Sequence, residues 1–320
     1  MISTKLTERF DLQHPIIQAP MATAAGGKLA AMISSAGGLG LIGGGYGDME
    51  WLAEQFHTAG NQSVGCGLIT WAIEKNPSVL ENVIARAPKA IFLSFGDPAP
   101  YTPQIKSENI PLICQIQTFK DAKHAIDQGA DVIVAQGAEA GGHCEKRGTF
   151  TLVPEVADHI AQNGFDTVLC AAGGIADGRG LAAALMLGAD GVVIGSRFWA
   201  SDEALVHPNM HERAIMATGD NTIRSRVMDI ARKLDWPERY TAHVIKNSFT
   251  DTWHDDVSGL IAAADEEATK WQEAWKSGNM DVANTFVGES AALIKEIKSA
   301  SDILDEIIAG AEQQLQKRFC

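Results

Sequence analysis

The chain has little from which to build a staple, a metal cage or a membrane anchor. Its five cysteines (66, 114, 144, 170 and 320) are odd in number and never form a CxxC pair, so neither a disulfide framework nor a zinc site is expected. No apolar run approaches membrane-spanning length. Residues 1–10 carry charges rather than a hydrophobic run, so no signal peptide is expected, and free thiols fit the cytoplasm. Positive charge is also short, with 26 Lys and Arg against 40 Asp and Glu and a net charge of −14. That balance, without a basic stripe interleaved with aromatics, excludes nucleic acid and anionic membrane as expected partners. No solenoid repeat or low-complexity tract is present.

What is abundant is glycine, with 31 residues, many of them paired beside apolar runs. Eight short runs read as strands, at 16–19, 39–42, 64–69, 90–95, 112–116, 132–136, 168–172 and 192–194. They are apolar without strict alternation, as strands buried on both faces of a parallel sheet should be. Helical patterns lie between them at 28–35, 49–58, 78–86, 119–128, 154–162 and 179–187. The stretch between Phe95 and Leu112, with its prolines, is the least regular.

A strand–helix unit repeated around eight strands predicts an α/β fold, a closed (β/α)8 barrel. An open doubly wound sheet is the alternative, but it calls for a glycine loop near the first strand, and here the richest ones follow the sixth to eighth. Beyond Phe198 the spacing predicts helices at 207–218, 222–234, 265–276 and 290–316. This divides the chain into a barrel over 1–205, a smaller helical domain inserted after the eighth strand over 206–284, and a returning C-terminal helix over 285–320.

Barrel enzymes work at the C-terminal ends of their strands, so the residues that follow each strand are the candidates. No lysine stands there, which disfavours Schiff-base chemistry. Carboxylates are sparse (Asp97 and Glu139), which disfavours a two-metal site, and no metal is expected. Glycine loops remain: Gly137 to His143, Gly173-Gly174 and Gly195-Ser196. Backbone N–H groups in such loops can approach a phosphate closely, which suits a flat cofactor with a phosphate tail. His143 ends the first loop and is a candidate base, or else a loop histidine held for order. Cys144 is a weaker candidate nucleophile. Met21 and Trp71 either touch a ligand or pack. Glu139 is read as orienting its loop, and Asp177 and Arg179 as capping and pairing on a helix.

The ordered set Pro15 to Met21, Ala135 to His143, Ala172 to Arg179 and Gly188 to Phe198, with Gly288 to Ala292, resembles the nitronate monooxygenase family. The resemblance implies an FMN-binding barrel under a smaller helical domain. It implies oxidation of alkyl nitronates, or of nitroalkanes, by O2 to a carbonyl compound and nitrite. FMN contacts would come from Ala19, Pro20, Met21, Gln115, Gln136, Gly141, Gly142, Gly173, Gly174, Gly195 and Ser196, with His143 as the catalytic residue. Partners would be a small nitronate and O2, with a second copy of the chain in a homodimer.

Two departures stand out. Many bacterial relatives carry an asparagine where this chain has Gly65-Cys66-Gly67-Leu68, and a lysine near Gln115. The superfamily also holds NAD(P)H-dependent reductases of quinones and enoyl thioesters, which is the alternative activity. A flavin-free barrel using Cys144 is a third.

Overall fold

The computed structural model describes residues 2–317. Its strands in chain order are β1 (Ile16–Gln18), β2 (Leu41–Gly45), β3 (Gly65–Ile69), β4 (Ile91–Ser94), β5 (Leu112–Ile116), β6 (Val132–Gln136), β7 (Gly142–Cys144), β8 (Val168–Ala172), β9 (Gly191–Ile194), β10 (Thr222–Ser225) and β11 (Thr241–Ile245). Eight of them form one parallel sheet in the order β1-β9-β8-β6-β5-β4-β3-β2. Ile17 bridges Leu39, just ahead of β2, and brings the ends of the sheet together into a barrel.

Side chains alternate along each strand between two apolar sets. Ile17, Phe92, Ile113, Val134, Cys170 and Val193 fill the barrel, and the helix Lys5–Phe10 plugs its lower end with Leu6 and Phe10. Ile16, Ile42, Ile91, Ile133, Leu169 and Val192 face the surrounding helices. Packing against the barrel, helix Ala300–Leu315 runs so close to helix Gly178–Met186 that a Cβ at Gly178 would stand 2.2 Å from the Ala311 nitrogen. Among the described residues no helix is long and apolar enough to cross a membrane.

Local differences from the sequence expectations have physical causes. Strand β2 lies further along than 39–42, because Leu39 pairs with β1 while Gly43 to Gly45 pair with β3. The helix expected from residue 154 spans Thr149–Asn163 with Pro154 inside it. Its start is fixed by the Thr149 amide, 3.1 Å from both carboxylate oxygens of Glu139, so a proline that reads as a beginning is an interior residue.

The segment 222–234 is not one helix. It is strand β10 followed by helix Val227–Ala231, because β10 pairs antiparallel with β11. The segment 290–316 is a short turn of 3-10 helix at Glu289–Leu293, an extended stretch, and then the helix from Ala300. A bridge between Ser201 and Lys298 holds that stretch extended. The chain after β9 therefore adds two strands, β10 and β11, to the helices expected there, and with β7 from the barrel loop they form a three-stranded sheet, β10-β11-β7.

Candidate active site

The C-terminal ends of the barrel strands open into a cavity of about 330 Å³. All the residues expected to contact a cofactor line it. Ala19, Pro20 and Met21 follow β1, and Gln115 and Gln136 stand on β5 and β6. Gly141 precedes β7 and Gly142 opens it, Gly173 and Gly174 follow β8, and Gly195 and Ser196 follow β9. His143 lines the same space.

The glycines form a cradle of backbone. Gly142, Gly173 and Gly174 have φ of 71°, 101° and 74°, a region that side chains rarely tolerate. The amides of Gly173, Gly174 and Gly195 donate to no acceptor among the described residues. The Ser196 hydroxyl accepts from the Gly288 amide at 3.2 Å, which ties the late Gly288 segment to the cradle. Free amides gathered around accessible space are a fitting environment for a phosphate. The Glu139 carboxylate faces away from this role. It accepts from the amide and hydroxyl of Thr149 and so orders the loop, as expected of it.

Amides also line the barrel side. The Gln136 side-chain oxygen accepts from Gln115 Nε2 at 3.1 Å and from Gln117 Nε2 at 2.7 Å, so the three glutamines act as one neutral hydrogen-bonding group. Gln117 directly follows the fifth strand on the rim, but it is not in the set expected to contact the cofactor. At Gly67, within the segment where relatives carry asparagine, a Cβ would stand 2.2 Å from the Pro20 Cβ. The absence of a side chain there is what lets Pro20 sit against β3.

His143 is held by the part of the chain that follows the barrel. Its strand, β7, pairs with β11, with His143 opposite Ala242. Its Nε2 lies 2.9 Å from Oδ2 of Asp229, on helix Val227–Ala231. A carboxylate can only accept, so Nε2 carries the proton and the Nδ1 lone pair has no partner among the described residues. The indole of Trp236 stacks on the imidazole, with centroids 3.3 Å apart and planes within 6°, so a ligand reaches the ring from its other face or its edge. Burial pushes the His143 pKa below its usual value, against the upward pull of Asp229, which keeps the ring neutral.

Cys144 is the next residue on the strand and points the opposite way. Its thiol is buried, reaches toward the carbonyls of Ala138 and Ala140, and is pushed up to about 11 by burial. It does not line the cavity, which removes it as a nucleophile. Trp71 likewise packs, against Tyr46 and Trp236, instead of lining the space, whereas Met21 lines it. Asp177 caps and pairs with Arg179, as expected.

The remaining walls were not read from the sequence. Tyr46, Phe95, Trp236, Trp271, Trp275 and Phe286 enclose the cavity with aromatic faces, and Arg232 lies among them. Asp229 sits 86 residues from His143 in a segment with no motif, so no local spacing could have paired them. The one usable signal was Trp236-Pro237, large apolar surface in an irregular connection.

Comparison with known proteins agrees with this geometry. The family described as nitronate monooxygenase matches residues 3–61 and 70–310. A nitronate monooxygenase of Neurospora crassa is 34% identical, over 98% of this chain and 94% of that one. An indene-carboxyl-CoA dehydrogenase of Rhodococcus jostii is 30% identical, over 98% of this chain and 97% of that one. Among solved structures, FabK from Thermotoga maritima superposes with a TM-score of 0.85 at 28% identity, covering 99% of this chain and 98% of that one.

Proposed function

This chain belongs to the nitronate monooxygenase family, and from that premise we propose that it binds FMN and oxidises alkyl nitronates with O2 to a carbonyl compound and nitrite. It is a flavin-dependent oxidoreductase of the nitronate monooxygenase type. The observation that carries the reading is the pairing of a phosphate cradle with a neutral, oriented imidazole in one cavity.

The cradle fits the cofactor. The free amides of Gly173, Gly174 and Gly195, with the Ser196 hydroxyl, would hold its phosphate. Ala19, Pro20, Met21 and the Gln115–Gln136 amides would line its ring edge. When bound, the flavin supplies an acceptor for substrate electrons and a donor for O2.

His143 does the proton work. For a neutral nitroalkane, Nδ1 takes the α-proton, and Asp229 stabilises the imidazolium that results. For a preformed nitronate that proton is already gone, and the ring orients the anion. Stacking by Trp236 and the aromatic walls exclude water from the reacting carbon.

The test is nitrite release by FMN-loaded protein from propionate 3-nitronate or an alkyl nitronate; no nitrite from either sinks the reading. A second reading, NAD(P)H-dependent reduction of an enoyl thioester or quinone, draws on the likeness to the CoA dehydrogenase and to FabK. Rapid anaerobic bleaching of the flavin by NADH or NADPH would favour that reading over the first. Flavin released by heat and weighed by mass spectrometry tells FMN from FAD.

A further inference from the structure

The cavity wall holds a single fixed charge. No Asp, Glu or Lys is among the described residues that line it, and Arg232 is the one arginine. Its guanidinium carbon lies 5.6 Å from the Tyr46 ring, 5.8 Å from Trp271 and 5.5 Å from Phe286. Its polar contacts are few: a 3.4 Å hydrogen bond donated to the Tyr46 hydroxyl and a 3.9 Å approach to Asp229 Oδ1. A guanidinium offers five N–H donors in a planar fork, so most of them are unspent.

A second observation points the same way. The Asp229 side chain is 3% exposed, yet its Oδ1 makes no hydrogen bond. Arg232 is thus near enough to balance the charge of Asp229 but is not committed to it. The aromatic faces hold the fork in place and take most of the side chain out of water, which strengthens its attraction for an incoming anion. Tyr46, Trp271, Phe286 and Asp229 are not part of the amide cradle, so this cation is separate from the phosphate site. Through its two oxygens Asp229 stands between Arg232 and His143. Base and cation are therefore one carboxylate apart.

We propose that Arg232 is the specificity-determining residue of this site and takes a carboxylate that the substrate carries a short chain away from the carbon facing His143. The proposal rests on the reading of the site given above. It predicts discrimination by charge, with the fork engaging the carboxylate through paired hydrogen bonds.

The test compares nitrite release from propionate 3-nitronate and from propyl-1-nitronate, which have the same carbon count but differ in the carboxylate. Wild type should prefer the carboxylated substrate in kcat/KM. In Arg232→Met that preference should collapse by roughly tenfold or more, mostly through KM, with Arg232→Lys in between. An equal loss on both substrates, or loss of bound flavin from Arg232→Met, overturns the proposal.

A second measurement needs neither turnover nor the variants to fold. Butanoate should change the fluorescence of wild-type cavity tryptophans saturably, and butanol should not; no response to butanoate overturns the proposal. If neither nitronate yields nitrite but butanoate still binds and Arg232→Met abolishes it, the anion anchor stands and the nitronate reading falls.

Discussion

Asp229 Oδ2 lies 2.9 Å from His143 Nε2, joining a helix that follows the barrel to a strand that grows out of a barrel loop. Both side chains are buried. The pair fixes which ring nitrogen carries the proton, so Asp229 is a positioning residue that acts on the proton transfer through His143.

Asp229→Ala should lower kcat on neutral nitroalkanes by roughly tenfold to a hundredfold, with little change in KM. Asp229→Asn keeps an acceptor for Nε2–H but removes the charge that raises the His143 pKa. The base must be neutral to act, so rate is lost as pH falls through its pKa. Removing the upward pull of Asp229 moves that acid limb of the kcat profile to lower pH. A profile that stays in place in Asp229→Asn would show that Asp229 has no electrostatic hold on the ring.

His143 and the cradle should separate in mutants. The cradle is backbone, so His143→Ala should retain FMN while losing roughly a hundredfold or more in turnover of neutral nitroalkanes. Turnover of preformed nitronates should fall less. Gly174 has φ of 74° and an amide with no acceptor, so Gly174→Val should weaken FMN retention instead. Flavin content after gel filtration and nitrite release on both substrate forms give the comparison. Loss of FMN from His143→Ala with full turnover once reconstituted would make the histidine structural.

The barrel and its half of the site could be read from the sequence because both are local. A strand buried on two faces writes itself as a short apolar run, and the glycine loop that follows it marks the working end. Gly173-Gly174 and Gly195-Ser196 were found by that rule. The other half depends on partners distant in sequence. Thr222 to Ser225 have no strand signature of their own and are extended because β11 pairs with them. Arg232 and Trp236 reach the cavity, and Asp229 reaches His143, because that sheet also captures β7. Ile294 and Ile297 recur at helical spacing with Ile303 and Ile307, but Ile294 is buried in a different cluster, with Trp199 and Met210, and the chain there is not helical. Periodicity shows that a residue is buried, not which surface buries it.

Gly67 lies in the segment where relatives carry an asparagine, and placing that side chain at this position should do harm. A Cβ there would meet the Pro20 ring at 2.2 Å and 2.3 Å, and Pro20 is anchored within the turn after β1. Gly67→Asn should cost about 1–3 kcal/mol of stability, the usual range for overpacking. It should also loosen flavin binding, because Pro20 and Met21 line the cavity. Urea denaturation and flavin content check this. An unchanged midpoint would mean that the first strand end moves aside at no cost.

Acid should destabilise the fold in the histidine range before the carboxylates titrate. His143, His211 and His243 all have pKa values lowered from 6.5, with burial the largest cause in each. The unfolded chain therefore binds protons at a higher pH than the folded one does. Between the ordinary value and the lowered ones the unfolded state holds more protons, so stability rises with pH through that window and is lost as pH falls below about 6.5. Asp97 and Asp177, where burial raises the pKa but hydrogen bonds and nearby positive charge together lower it by more, add a separate loss near and below their ordinary value of 3.8. Thermal melts should show Tm falling between about pH 7.5 and pH 5, with a further fall below about pH 4. His243 offers a control away from the proposed chemistry, since its nitrogens lie 3.2 Å from the Ala138 carbonyl and 2.9 Å from the Thr222 hydroxyl. In His243→Gln the fall between about pH 7.5 and pH 5 should be shallower, whatever the variant's own Tm. A slope identical to wild type would mean that His243 titrates with the same pKa folded and unfolded, and that its burial is not what acid attacks.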